Sequence, residues 1–174
     1  QDDGGFTVGS DVVSRYVWRG TDFGGSPSIQ PTLEYSKGGF AIGVWGAYTT
    51  NLPGAQEADL YMSYTFMDDM ISVGLTDYYF PNELGMEDYF EYSANKTGHI
   101  LEGFVSFNGT EDLPLSVMLA ANFFGADAKT FENGLPTTNN MYSTYAEIAY
   151  SFENIDVFAG FNVTDADENI GESG

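Results

Sequence analysis

Cysteine is absent from the 174-residue chain, so neither a disulfide framework nor a thiol nucleophile is available. Basic residues are scarce: five Lys+Arg stand against 26 Asp+Glu, a formal net charge of -21 at pH 7. Phosphate backbones would be repelled by such a surface, which argues against a nucleic-acid partner. Histidine occurs once, as His99. It falls on the apolar parity of its segment, near one end, where it has no Ser or Asp to organise into a triad; an interfacial residue is expected there. Zinc-ligand spacings and phosphate-binding glycine loops are missing as well. No enzyme, no cofactor and no metal centre is therefore expected. Long apolar runs are also lacking, and nothing approaches the roughly 18 residues of a transmembrane helix. The first residues, Gln1 followed by aspartates and glycines, read as a mature end from which a signal peptide has been removed.

Glycine (21) and aromatic residues (14 Phe, 12 Tyr, 2 Trp) are plentiful, and apolar residues recur with period two. In Glu57–Phe66, Ala58, Leu60, Met62, Tyr64 and Phe66 share one parity, and Glu57, Asp59, Tyr61, Ser63 and Thr65 the other. Such a strand has one apolar and one polar face. A soluble sheet turns the apolar face to a core; an outer-membrane barrel turns it to lipid. One strand does not decide between them.

Similar segments span 7–18, 28–36, 40–49, 57–66, 71–80, 99–107, 115–124, 142–152 and 155–164, with no competing helical period. These predict an all-β chain forming a single domain over 1–174. The connections after the second, fourth, sixth and eighth segments are short (Lys37–Gly39, Met67–Met70, Asn108–Pro114, Glu153–Asn154), and those after the odd-numbered segments are longer. This alternation is that of an antiparallel up-and-down transmembrane β-barrel, with tight turns at one rim and larger loops at the other. Aliphatic residues sit in mid-strand, whereas rings cluster at the ends. Trp18, Tyr48, Tyr79, Phe123 and Tyr142 mark the long-loop rim; Phe40, Phe66, Phe107 and Phe152 mark the short-turn rim. Rings at both interfaces form aromatic girdles. Ten residues at about 3.3 Å each, tilted by about 45°, span roughly 23 Å, the height of such an apolar band. The apolar face is expected to look outward. Asp77 shares the parity of Ile71, Val73 and Leu75, which leaves a register-flipping bulge or an interfacial carboxylate.

The polar parity then lines a bore: Asp11, Arg15, Arg19, Glu34, Glu57, Asp59, Glu102, Glu147 and Asp156. Acidic rings favour cations, so passive diffusion of small, preferably cationic, solutes is expected. A plugged structural or scaffold barrel stays open as an alternative, with Arg15 and Arg19 paired to Asp11, Glu34 or Glu147. So does a secreted soluble β-protein, an adhesin or filament subunit. The expected partners are outer-membrane lipid and other outer-membrane proteins. Weak divalent cations at Glu83, Glu87, Asp88 and Glu91 are a lesser expectation. Asp165–Gly171 faintly echoes a calcium loop, with its glycine one place late. The sequons at Asn95, Asn108 and Asn162 carry little weight in a bacterial barrel.

Ser14-Arg15-Tyr16-Val17-Trp18-Arg19-Gly20, Pro27-Ser28-Ile29-Gln30-Pro31, Gly39-Phe40-Ala41-Ile42-Gly43-Val44-Trp45, Ala58-Asp59-Leu60-Tyr61 and Asp77-Tyr78-Tyr79-Phe80-Pro81 carry a family resemblance. Over roughly residues 6–165 the chain resembles the TorF-type porins of bacteria. The resemblance implies an outer-membrane β-barrel of about twelve strands and assigns no catalytic or binding residue. Nine strands is an odd number for a single-chain bacterial barrel. Residues 165–174 do not read as a closing strand, so about three C-terminal strands are expected to be missing.

Overall fold

Period-two alternation obliges each segment to be a strand, and the short polar turns between them oblige neighbours to pair antiparallel. The computed structural model describes residues 3–23, 26–51, 56–81, 88–93, 97–125, 129–132, 135–140 and 142–163. In chain order the strands are β1 (Gly5–Val13), β2 (Val17–Trp18), β3 (Thr21–Asp22), β4 (Ser28–Lys37), β5 (Phe40–Thr49), β6 (Gln56–Phe66) and β7 (Ile71–Tyr79). They continue with β8 (His99–Phe107), β9 (Leu115–Gly125), β10 (Lys129–Glu132), β11 (Leu135–Asn140), β12 (Thr144–Phe152) and β13 (Ile155–Asn162). Nine of them form one antiparallel sheet in the order β1-β4-β5-β6-β7-β8-β9-β12-β13, a plain meander. Among the described residues β1 pairs only with β4, and β13 only with β12, so these two strands carry the sheet's free edges.

The polarity is inside out. Mid-strand Leu60, Val73 and Leu119 are 44%, 39% and 49% exposed, while Glu57, Asp59 and Glu102 on the opposite parity are 5%, 8% and 3% exposed. A soluble sandwich does the reverse, because buried charge is costly and exposed aliphatic surface brings no gain in water. The register enforces this sorting: Val8, Leu33, Val44 and Leu60 lie abreast across β1, β4, β5 and β6.

On the polar face rings lie over glycines of the neighbouring strand. A Cβ on Gly43 would run into the Tyr61 ring and the Leu33 carbonyl, and one on Gly74 would run into the Phe104 ring and the Met62 carbonyl. Gly43 stands opposite Tyr61 in the register, and Gly74 opposite Phe104. Each ring fills the space its partner leaves, a packing that pins register where one face is polar. Gly74→Ala is therefore expected to cost about 1–3 kcal/mol as Phe104 is displaced, read from urea unfolding in detergent micelles; an unchanged midpoint would contradict it.

The sheet departs from expectation at three places, and at Asp77 it decides between the two expected alternatives. The first strand ends at Val13, not at residue 18, and Ser14–Phe23 leaves the sheet. Within that stretch β2 and β3 form a minimal hairpin, with Arg19 (φ 47°) and Gly20 (φ 83°) at its two central positions. Both residues are left-handed, the signature of a type I′ turn. A second small hairpin, β10–β11, occupies the long connection after β9. No bulge occurs at Asp77, where β7 stays in register with both neighbours. The bulge lies instead in β9, where Leu101 pairs with Phe124 and Glu102 with Asn122, leaving Phe123 as the extra residue. Residue 164 of the ninth expected strand, the calcium-like 165–171 stretch, Glu83, Glu87 and Asn95 lie outside the described residues.

Candidate functional site

The chain leaving β1 turns across the polar face as a strap. Tyr16, 9% exposed, packs its ring 5.5 Å from Trp45 of β5 and 5.4 Å from Phe23. Burial first, then the neighbouring Glu57 carboxylate, pushes the Tyr16 phenol up, so it remains a protonated donor. Trp18 sets its ring edge-on to Tyr78 of β7, at 5.5 Å.

At the hairpin tip Arg19 makes a forked pair with Glu102 of β8, 83 residues away in sequence; Nη2 donates to Oε1 at 2.9 Å and Nη1 to Oε2. Tyr78 Oη donates to the same Oε1 at 2.9 Å. The guanidinium lies 4.1 Å from the centre of the Trp18 ring and 4.4 Å from that of Tyr145 on β12. Glu102 is thus a nearly enclosed carboxylate taking three hydrogen bonds, two of them from a cation. One hairpin, closely following β1 in the chain, touches β7, β8 and β12. A hairpin that leaves β1, at one edge of the sheet order, reaches strands this far across it because the sheet curls around its polar face.

The other acidic residues are disposed around this pin. Glu34 accepts from Tyr61 Oη at 3.0 Å, and Glu147 from Tyr145 Oη at 2.7 Å. Glu57 and Asp59 are buried two residues apart on β6, and Asp59 Oδ1 has no hydrogen-bond partner. Asp11 on β1 and Asp156 on β13 share the polar parity but stay exposed, since each lies on an edge strand. Arg15 does not join the group; it pairs with Asp22 at the exposed base of the hairpin, Nε to Oδ2 at 2.8 Å. Arg15 and Arg19 were expected on the first strand, and both lie beyond its end. Arg19 takes Glu102, not the Asp11, Glu34 or Glu147 weighed from sequence. Gly20 supplies one of the two left-handed positions of that turn, but nothing local indicates which way the hairpin folds.

The ring positions divide similarly. Tyr48, Phe123, Tyr142, Phe40, Phe66 and Phe152 are exposed on or beside the apolar face, and Phe107 is half-buried there. Trp18 instead points to the polar side with the strap. Tyr79 is covered, 6% exposed, by Tyr89 from the loop after β7.

That loop also closes over His99, which is fully buried and, contrary to the expectation that it has no Ser or Asp to organise, holds Asp77. Its Nδ1 lies 2.7 Å from Asp77 Oδ1 and its Nε2 2.7 Å from the Tyr89 carbonyl oxygen. Tyr92 stacks on the imidazole at 4.3 Å, and its Oη donates to Asp77 Oδ2 at 3.3 Å. Burial, then the Asp77 carboxylate, pushes the Tyr92 phenol up to about 12. Asp77, awkward as a lone carboxylate on an apolar face, is partnered from two sides. No group of three or more metal-ligating side chains is found among the described residues.

An antiparallel meander with one exposed apolar face, buried carboxylates on the other and an aromatic-arginine strap across that polar face defines an all-β protein. The chain belongs to the Gcw_chp family, described as a bacterial protein of unknown function, whose model matches residues 1–158. No curated protein and no solved structure matches it.

Proposed function

We propose that this chain forms the wall of a bacterial outer-membrane β-barrel whose acidic bore admits small, preferably cationic, solutes by passive diffusion. The observation that carries the reading is the inverted burial: Leu60, Val73 and Leu119 outside, Glu57, Asp59 and Glu102 inside. Lipid is the solvent in which that sorting is favourable, since hydrocarbon accepts the aliphatic face and the bore keeps the charges. Strand lengths of nine to eleven residues in β4–β9 suit an apolar band of about 25 Å. Closing the cylinder requires that the free edges of β1 and β13 be paired, by each other or through further strands. Lipid is the principal partner in this reading. Other outer-membrane proteins docked on the apolar face, and diffuse divalent binding at Asp88 and Glu91, belong to it as secondary contacts.

The strap favours a second reading, a barrel whose lumen is blocked and which serves as a structural subunit. Arg19, Trp18 and Tyr16 occupy interior space that an open channel would leave to water. Planar-bilayer recording of the full protein separates the two. Cation-selective conductance is expected. An anion preference overturns the diffusion reading, and a silent membrane containing folded, heat-modifiable protein leaves the blocked barrel.

A further inference from the structure

We propose that Glu102, Tyr78 and Tyr145 form a binding site for a planar cation, and that Arg19 is its built-in occupant, making the strap the bore's constriction. This rests on the barrel reading above. A carboxylate presenting both oxygens in one plane to two parallel N–H donors is the arrangement that recognises a guanidinium group. The Tyr145 ring beside it supplies a face for the same flat cation, and Tyr78 Oη anchors the carboxylate from the side. The recognition elements therefore sit on the wall, in β7, β8 and β12, whereas the cation arrives on a separate hairpin.

That hairpin is held at its tip. Arg19 takes a left-handed backbone conformation unfavourable for a residue with a Cβ, and its side chain reaches the most enclosed carboxylate on the polar face. Arg15, at the hairpin's base, is solvent-exposed and, among the described residues, bonds Asp22 within the strap. Arg19 is thus the arginine that ties the strap to the wall. Removing its side chain leaves Glu102 lined for a flat cation and unfilled. A free guanidinium ion fits the space by size, charge and hydrogen-bonding pattern. Urea matches the shape without the charge, and sodium the charge without the plane.

The test is single-channel recording of the full protein and of Arg19→Ala, with guanidinium, urea or sodium added at the same millimolar concentration. Arg19→Ala is expected to conduct severalfold more than the unaltered protein. Guanidinium should reduce that current while urea and sodium do not, and Arg19→Ala/Glu102→Gln should lose the block. Equal conductance of the two proteins, or a block that urea reproduces, overturns the proposal. If both stay silent although heat-modifiable, the diffusion reading fails and the site is judged by binding. Guanidinium-dependent change of tryptophan fluorescence in Arg19→Ala, absent when Glu102 is also replaced by Gln, then upholds it; no change overturns it.

Discussion

Val73→Arg is expected to destabilise the membrane-inserted protein by about 2 kcal/mol, the low end of the about 2–4 kcal/mol of an arginine at the lipid-facing midplane of a β-barrel, because Val73 lies two residues short of the centre of β7. Val73 is the third residue of β7 and 39% exposed, between Tyr64 of β6 and Val105 of β8 in the register. Were that face turned to water, the same change at an exposed site would stay within about ±0.5 kcal/mol. The two environments therefore differ severalfold in effect for one substitution. Leu119→Arg, on β9, should behave alike, whereas Ser106→Arg on the opposite parity of β8 should be tolerated. Urea titration of protein folded into lipid vesicles, followed by gel mobility with and without heating, reads the difference. A Val73→Arg protein as stable as the parent would remove the physical basis of the membrane reading.

Asp77→Ala should release the loop that covers the outer end of β7 and β8. His99 is wholly enclosed by Tyr79, Tyr89 and Tyr92, and both ring nitrogens face acceptors. Asp77 Oδ1 holds Nδ1 and the Tyr89 carbonyl oxygen holds Nε2, so the imidazole ties the loop to β7. Deleting Asp77 leaves a buried ring nitrogen without its hydrogen-bond partner, at a cost of about 1–3 kcal/mol. Amide exchange at Thr97 and His99, held by Ser93 and by the Thr97 hydroxyl, should then quicken by about two orders of magnitude. Asp77→Asn keeps an acceptor and should fall between. Unchanged protection in Asp77→Ala would mean that the rings alone hold the loop.

Legibility followed the range of the forces involved. Strand existence and face depend on neighbours two residues apart, so β4 to β9 were readable within one or two residues at their ends. The exposure of Leu60 and its companions agrees with the apolar face expected, from loop lengths and ring positions, to look outward. Less was readable where a contact joins distant positions. Arg19 is 83 residues from Glu102, and the sequence around it offers Asp11, Glu34 and Glu147 as equally plausible acids. His99 was readable as outward-facing, but its burial depends on Tyr89 and Tyr92 folding back from a loop that carries no periodic signal. The bulge at Phe123 and the early end of β1 likewise reflect what the sheet's curl requires, not local propensity.

Alternation, turn chemistry and the placement of rings by themselves determined a meander with an acidic face and an oily face. Tertiary structure alone decided that the strap crosses the acidic side, that Arg19 spans to Glu102 beneath Tyr78, and that a tyrosine loop roofs His99. The reason is geometric: a two-residue period is written in consecutive side chains, whereas curvature brings together groups whose separation along the chain leaves no local mark.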